Sequence, residues 1–370
     1  MKRRIPLLVA AFVLALNVET VLAQSDTPGA FYAATNAASG NSVLFFSRAA
    51  GGTLTLSGSF PTGGLGTGTG LGNQGGLILS AADEWLFVVN AGSNDLSVFE
   101  VRSNGLRLMD KAASGGKQPI SVTFDRGVLY VLNAGGSVGG EDNITAFTLT
   151  SQGKLIPLTG STRQLSSSNT GPAEVSFNKR GNLLLITEKN TNNIDIFRVN
   201  RDGFAAGPFV EPSSGATPFG FAFGRRDRVF VSEAFGGAPN ASALSSYELE
   251  TDGELESVSP SVPTTQTAAC WAVVTQDGRF AYVTNTGSAT ISGYSVDADG
   301  ELSLLQGDGK SAVTGAGPID AAFSRDAQFL FTLNSGAHTI TGFRVGDEGQ
   351  LSPLSSVGGI PAGANGLAAR

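Results

Sequence analysis

Cysteine and histidine are nearly absent from this 370-residue sequence, which holds one of each, Cys270 and His338. A lone cysteine excludes an intramolecular disulfide, so the fold must rest on packing alone. Cys270 lies in the apolar run AACWAVV and reads as a core thiol. His338 lies in SGAHTITGF and reads as a surface side chain. Without a cluster of His, Cys and carboxylates, a metal-dependent hydrolase lacks its ligand set, and no metal or cofactor is expected. Charge is also sparse. Only 15% of residues are charged, with a net charge of −7, which argues against nucleic acid or an anionic membrane as partner. Beyond residue 16 no apolar run approaches the length of a membrane span.

What the sequence does have begins with an export signal. Lys2, Arg3 and Arg4 precede the short apolar run Ile5 to Leu16, and Val21-Leu22-Ala23 fits a cleavage site. Residues 1–23 are therefore expected to be removed. Residues 24–370 are expected outside the cytoplasm, periplasmic or secreted, as one domain and a monomer. Asn143-Ile-Thr and Asn240-Ala-Ser are glycosylation sequons, relevant only in a host that glycosylates exported proteins.

Fifty glycines suit a protein of many tight turns. The unit they punctuate is plainest in LFVVNAGSNDLSVFEV, Leu86 to Val101, which reads as strand, polar turn, strand. The polar residue ending its first strand recurs at Asn36, Asn90, Asn133, Glu188, Glu233, Asn285 and Asn334. The spacing averages about 50 residues, the pitch of a four-stranded propeller blade. A further strand precedes most copies, often opened by proline (QPISVTF, GPAEVSF, TPFGFAF, GPIDAAF), and another pair follows. The expected fold is all-β: a seven-bladed β-propeller of four-stranded blades. The first copy lacks its preceding strand, and residues 364–369 near the other terminus supply a match. The ring is thus expected to close by strands from both ends, which hides otherwise free edges.

The glycine-rich segment TGGLGTGTGLGNQGG, Thr62 to Gly76, imitates a phosphate-cradling loop, but a strand rather than a helix follows it. It reads as a long mobile loop on the surface of the ring. Asp297-Ala-Asp299-Gly-Glu301 imitates part of a calcium loop. The corresponding turns SNGLRL and SQGKL lack its carboxylates, so it reads as a hairpin turn.

The FVVN-type repeats, the GP- and TP-opened strands, and the pairs TNTGSATISGY and NAGSNDLSVF resemble the lactonase family of seven-bladed propellers. That family includes 6-phosphogluconolactonases and carboxymuconate-cyclising enzymes. PTGGLGTGTGLGNQGGLILS, PFGFAFGRRDRVFVSEAFGG and CWAVVTQDGRFAYVTNTGS resemble an exported branch of it. The resemblance implies a site at the mouth of the central channel, where the second strands end. It implies a glutamate at Glu233, or by a second local match at Glu188, as a base activating water. The strand-end residues Asn90, Asn133, Asn285 and Asn334, with Trp271 and Thr286, are the candidate ligand contacts. The family's cationic residues fall instead on Ala173, Phe219, Gly220 and Thr286. A mouth holding two glutamates and no cation should repel phosphorylated lactones. Two functions follow: hydrolysis of an uncharged lactone or related cyclic ester, in carbohydrate metabolism, or non-catalytic binding of an extracellular protein, glycan or sugar-like small ligand.

Overall fold

The computed structural model describes residues 28–370, so the export signal and its cleavage site lie outside the described residues. Seven antiparallel sheets follow one another around a ring, as the repeat spacing implies. Each blade runs from an inner strand on the axis to an outer strand on the rim. Blade 5 is an example, with Pro218–Phe223, Val229–Glu233, Ala243–Leu249 and Leu255–Pro263. In blades 3 and 6 the outer strand is split into two short pieces, Leu155–Pro157 with Arg163–Gln164, and Leu302–Leu304 with Ala312–Val313. Pro157 with Gly160, and Gly307 with Gly309, interrupt strand pairing at those two places.

The ring closes as the two termini suggest. Asn365–Ala369 is the inner strand of blade 1 and pairs antiparallel with Gly29–Ala34, with Phe31 opposite Ala369 and Ala33 opposite Leu367. The Arg370 and Ala30 amides and carbonyls exchange hydrogen bonds of 2.9 and 3.1 Å.

The second strands read as continuous apolar runs because both of their faces are covered. In Trp85–Asn90, Leu86 and Val88 pack against Tyr32, Ala34 and Phe45 of blade 1, while Phe87 and Val89 pack against Val122, Leu129 and Val131 of blade 3. In blade 4, Leu184 and Ile186 likewise face blade 3, and Leu183 and Leu185 face blade 5. Alternation along one strand thus builds two inter-blade cores, each large side chain contributing about 1.5–3 kcal/mol. Among the described residues, no helix is long and apolar enough to cross a membrane.

Candidate functional site

The strand-end residues converge on one face of the ring, but their side chains turn into the blades. Asn90, Asn133, Glu188, Glu233, Asn285 and Asn334 are all 0% exposed. Asn90 Nδ2 donates to Asp95 Oδ1 (2.7 Å) and Ser97 Oγ (2.8 Å) on the third strand, and its Oδ1 accepts from Thr62 Oγ1 (2.8 Å) on the incoming loop. Asn285 donates to Thr290 and Ser292, Asn334 to Thr339 and Thr341, and Asn133 to Asn143. Each is a pin joining neighbouring strands.

The two glutamates are the same pin with polarity reversed. Glu233 Oε1 accepts from Gly215 N (2.8 Å) and Ser245 Oγ (2.5 Å), and Oε2 accepts from Ser261 Oγ (2.6 Å). Burial pushes its carboxyl up, and the bonds from Ser245, Ser261 and Gly215 pull it down. Glu188 accepts from Ser166 N (3.1 Å), Ser166 Oγ and Thr191 Oγ1 (2.5 Å). Beside it, burial and Glu188 itself push Asp195 up to about 8. A carboxylate with no exposed surface, occupied by three or four donors, has no water to activate. In this structure Glu188, Glu233 and the four asparagines are all turned into their blades and held by hydrogen bonds there.

Trp271 and Thr286 are also turned inward. Trp271 is 3% exposed and packs on Phe219, ring centroids 5.1 Å apart. That leaves no open face for a sugar to stack on. Thr286 Oγ1 donates to Pro318 O (2.8 Å), joining blade 6 to blade 7. His338 is exposed, with Nδ1 3.2 Å from Ile360 O. Asp297 Oδ1 accepts from the Asp299 and Glu301 amides, both at 2.8 Å, closing the hairpin turn. Among the described residues no three His, Cys, Asp or Glu side chains come together to hold a metal ion.

The glycine-rich segment departs most from expectation. Its last residues cross the channel mouth and end on the axis. Gln74 N donates to Ala173 O of blade 4 (3.0 Å). Gln74 Nε2 donates to Phe221 O of blade 5 (3.1 Å) and Ala272 O of blade 6 (3.0 Å), and its Oε1 accepts from Ala272 N (3.1 Å). Asn73 donates to Ile120 O of blade 3 and accepts from Asn365 Nδ2 of blade 1 (2.8 Å). Glycine is required here. Gly75 has φ +76°, and a Cβ on Gly76 would sit 2.6 Å from Asn365 Oδ1. The end of the segment is a plug, while Gly68, Thr69 and Gly70 remain exposed as in a surface loop.

Three functional-looking groups lie outside the set of candidate site residues. Lys189 follows Glu188 directly. Its Nζ donates to Gly72 O and stands 4.8 Å from the centre of the Phe219 ring, and burial pushes it down to about 8. The mouth thus also holds a lysine, committed to the plug. Glu174 and Asp320 are buried on the axis. Glu174 Oε2 accepts from Phe221 N (2.7 Å), and Asp320 Oδ2 accepts from Leu367 N (3.0 Å), each stitching one inner strand to the next blade's. Burial pushes Asp320 up to about 8 and Glu174 well above the carboxylate range. Their signal was a polar residue two places after the opening proline, as also in Pro119-Ile-Ser121. Below the plug, a pocket of about 300 Å³ lined by Ile78, Val122, Phe124, Glu174, Phe177 and Lys179 opens on the opposite face.

The architecture is that of a seven-bladed propeller with a plugged mouth. Residues 238–365 match the family model described as Lactonase, 7-bladed beta-propeller, which bears out the resemblance drawn from the repeats. No curated protein matches the chain by sequence. Among solved structures, the periplasmic gluconolactonase of Pseudomonas aeruginosa is similar at 18% identity and TM-score 0.74, over 92% of this chain and 99% of that one. A protein of Lactobacillus plantarum aligns at 18% identity and TM-score 0.76, over 93% and 100%. A candidate 6-phosphogluconolactonase of Bacteroides fragilis aligns at 19% and 0.73, over 94% and 99%. At these identities the likeness is one of fold.

Proposed function

We propose that this chain is a non-hydrolytic propeller of the lactonase type, exported by residues 1–23, that serves as a binding module. The observation that carries this is the closed mouth. Attack on a lactone needs a base within hydrogen-bond reach of a water and donors aimed at the carbonyl oxygen. Here the mouth is crossed by Gly72–Gln74, and both glutamates at its rim are saturated inside their blades. Export rests on the basic start, the short apolar run and Val21-Leu22-Ala23.

The test is lactone hydrolysis by purified residues 24–370, followed as acid release from gluconolactone and from 6-phosphogluconolactone. The expected rate equals spontaneous opening for both. Saturable, protein-dependent hydrolysis of either lactone, lost in a folded Glu233→Gln or Glu188→Gln variant, would establish the enzymatic reading instead. N-terminal sequencing of protein recovered outside the cytoplasm should begin at Gln24.

A further inference from the structure

The sequence Gly224-Arg-Arg-Asp-Arg228 makes a tight turn between the first two strands of blade 5, on the face opposite the plugged mouth. Asp227 is buried and holds the turn. It accepts from Lys179 N (2.9 Å) and Asn178 Nδ2 (3.4 Å) and pairs with Arg180 Nε at 3.3 Å. Arg226 and Asp227 both adopt left-handed backbone, φ +58° and +62°, a conformation that non-glycine residues adopt only when their surroundings enforce it. The result is three arginines around one hollow. A pocket of about 190 Å³ is lined by Arg225, Arg226 and Arg228 together with Asp277, Arg279 and Asp297 of blade 6.

The charges in this pocket do not cancel. Arg279 Nε pairs with Asp277 at 2.6 Å, so those two neutralise one another. Asp297 is engaged by its own hairpin amides, which with the nearby charge of Arg228 hold its carboxyl below the usual range. Among the described residues no carboxylate forms an ion pair with Arg225, Arg226 or Arg228. Arg228 is only 8% exposed, and its Nε is buried with no hydrogen-bond partner. Glycines of blade 6 make room for these side chains. A Cβ on Gly300 would lie 2.8 Å from Arg228 Nε, and one on Gly278 would lie 2.8 Å from Arg225 Cγ. The neighbouring Lys179 is held below its ordinary value by burial, with Asp227 opposing and the charge of Arg225 adding to the effect.

We propose that this pocket binds the tetrahedral oxyanion of a small phosphate or sulfate ester. Guanidinium forks match such oxyanions in geometry and charge, and the pocket admits one such group with a small body attached. The site is separate from the mouth and stands whether or not the mouth is hydrolytic.

The test is titration calorimetry of residues 24–370 at fixed ionic strength, with inorganic phosphate, inorganic sulfate, glucose 6-phosphate and a sulfated heparin oligosaccharide as probes, and glucose as control. Saturable binding of at least one anionic probe is expected, with none for glucose. Affinity should fall at least tenfold in Arg228→Gln and be lost in the double variant Arg225→Gln, Arg226→Gln. The two residues of the double variant are exposed, and circular dichroism verifies its fold. Glucose 6-phosphate binding tighter than inorganic phosphate identifies a phosphate ester, and tighter binding of the oligosaccharide identifies a sulfated glycan. Absence of saturable binding by every anionic probe, or undiminished affinity in the double variant, would overturn the proposal.

Discussion

Glu233 ends and Arg228 precedes a single short strand of blade 5, Val229–Glu233, one at each face of the ring. Both are buried and both carry ionisable heads, yet they differ in every other respect. Glu233 is met by donors from Gly215, Ser245 and Ser261. Arg228 Nε has no hydrogen-bond partner, and the same residue lines a pocket that opens to solvent. A buried polar group whose hydrogen bonds are complete within the protein is part of the scaffold. One left incomplete beside a cavity is where a ligand has something to add. The family resemblance directed attention to the first end of this strand, and the hydrogen bonds direct it to the second.

The largest effect should come from breaking the ring on which both ends depend. Deleting residues 364–370 removes the inner strand of blade 1 and uncovers Phe31 and Ala33. Loss of cooperative thermal unfolding and aggregation in size-exclusion chromatography are expected.

The comparison itself is sharpened by two substitutions at opposite ends of the strand. Glu233→Ala strips the acceptor from several buried donors and should cost about 2–4 kcal/mol in denaturant unfolding. Arg228→Gln removes a buried charge with no carboxylate at ion-pair distance among the described residues, and should leave stability within about 1 kcal/mol of the parent or raise it. Equal losses would mean that Arg228 is as much a scaffold residue as Glu233.

Solution pH probes the interior carboxyls. Asp195 and Asp320 stand at about 8 in the folded ring against an ordinary 3.8. Between those values the native state holds protons that the unfolded chain releases, so stability falls as pH rises. Melting temperatures should be higher near pH 5 than near pH 8. Asp320→Asn should flatten that slope while lowering the acid-side stability. A slope of the opposite sign would show that these carboxyls are ionised in the folded state.

Gln74→Ala removes the three bonds that join the plug to blades 5 and 6. A loss of about 1–2 kcal/mol is expected, with greater acrylamide quenching of Trp271 fluorescence as the mouth loosens. The smallest effect belongs to the double variant of Arg225 and Arg226, whose exposed side chains should change stability by less than about 0.5 kcal/mol.

Much of the fold was legible because its determinants are local. The strand-end residue with its turn, the proline that opens an inner strand, and the alternation of apolar side chains each act within about ten residues. The strand end recurs seven times and the opening proline four times, and together they specify the blades and point to residues 364–369 as the missing strand. The direction of each strand-end side chain was not legible. The partners of Glu233 lie on a loop before the blade, on its third strand and on its outer strand. No spacing in the sequence separates a glutamate aimed at the channel from one aimed at Ser261.

The sequence by itself thus determined the seven blades and their closure, since those follow from short-range periodicity and turn chemistry. Tertiary structure alone decided which polar groups were occupied. The plug bonds Gln74 to Ala272, 198 positions away, and the arginine pocket unites the Arg225–Arg228 turn with residues of the next blade. Hydrogen-bond satisfaction is a property of three-dimensional neighbours, and in a ring those neighbours come from adjacent blades and from across the axis.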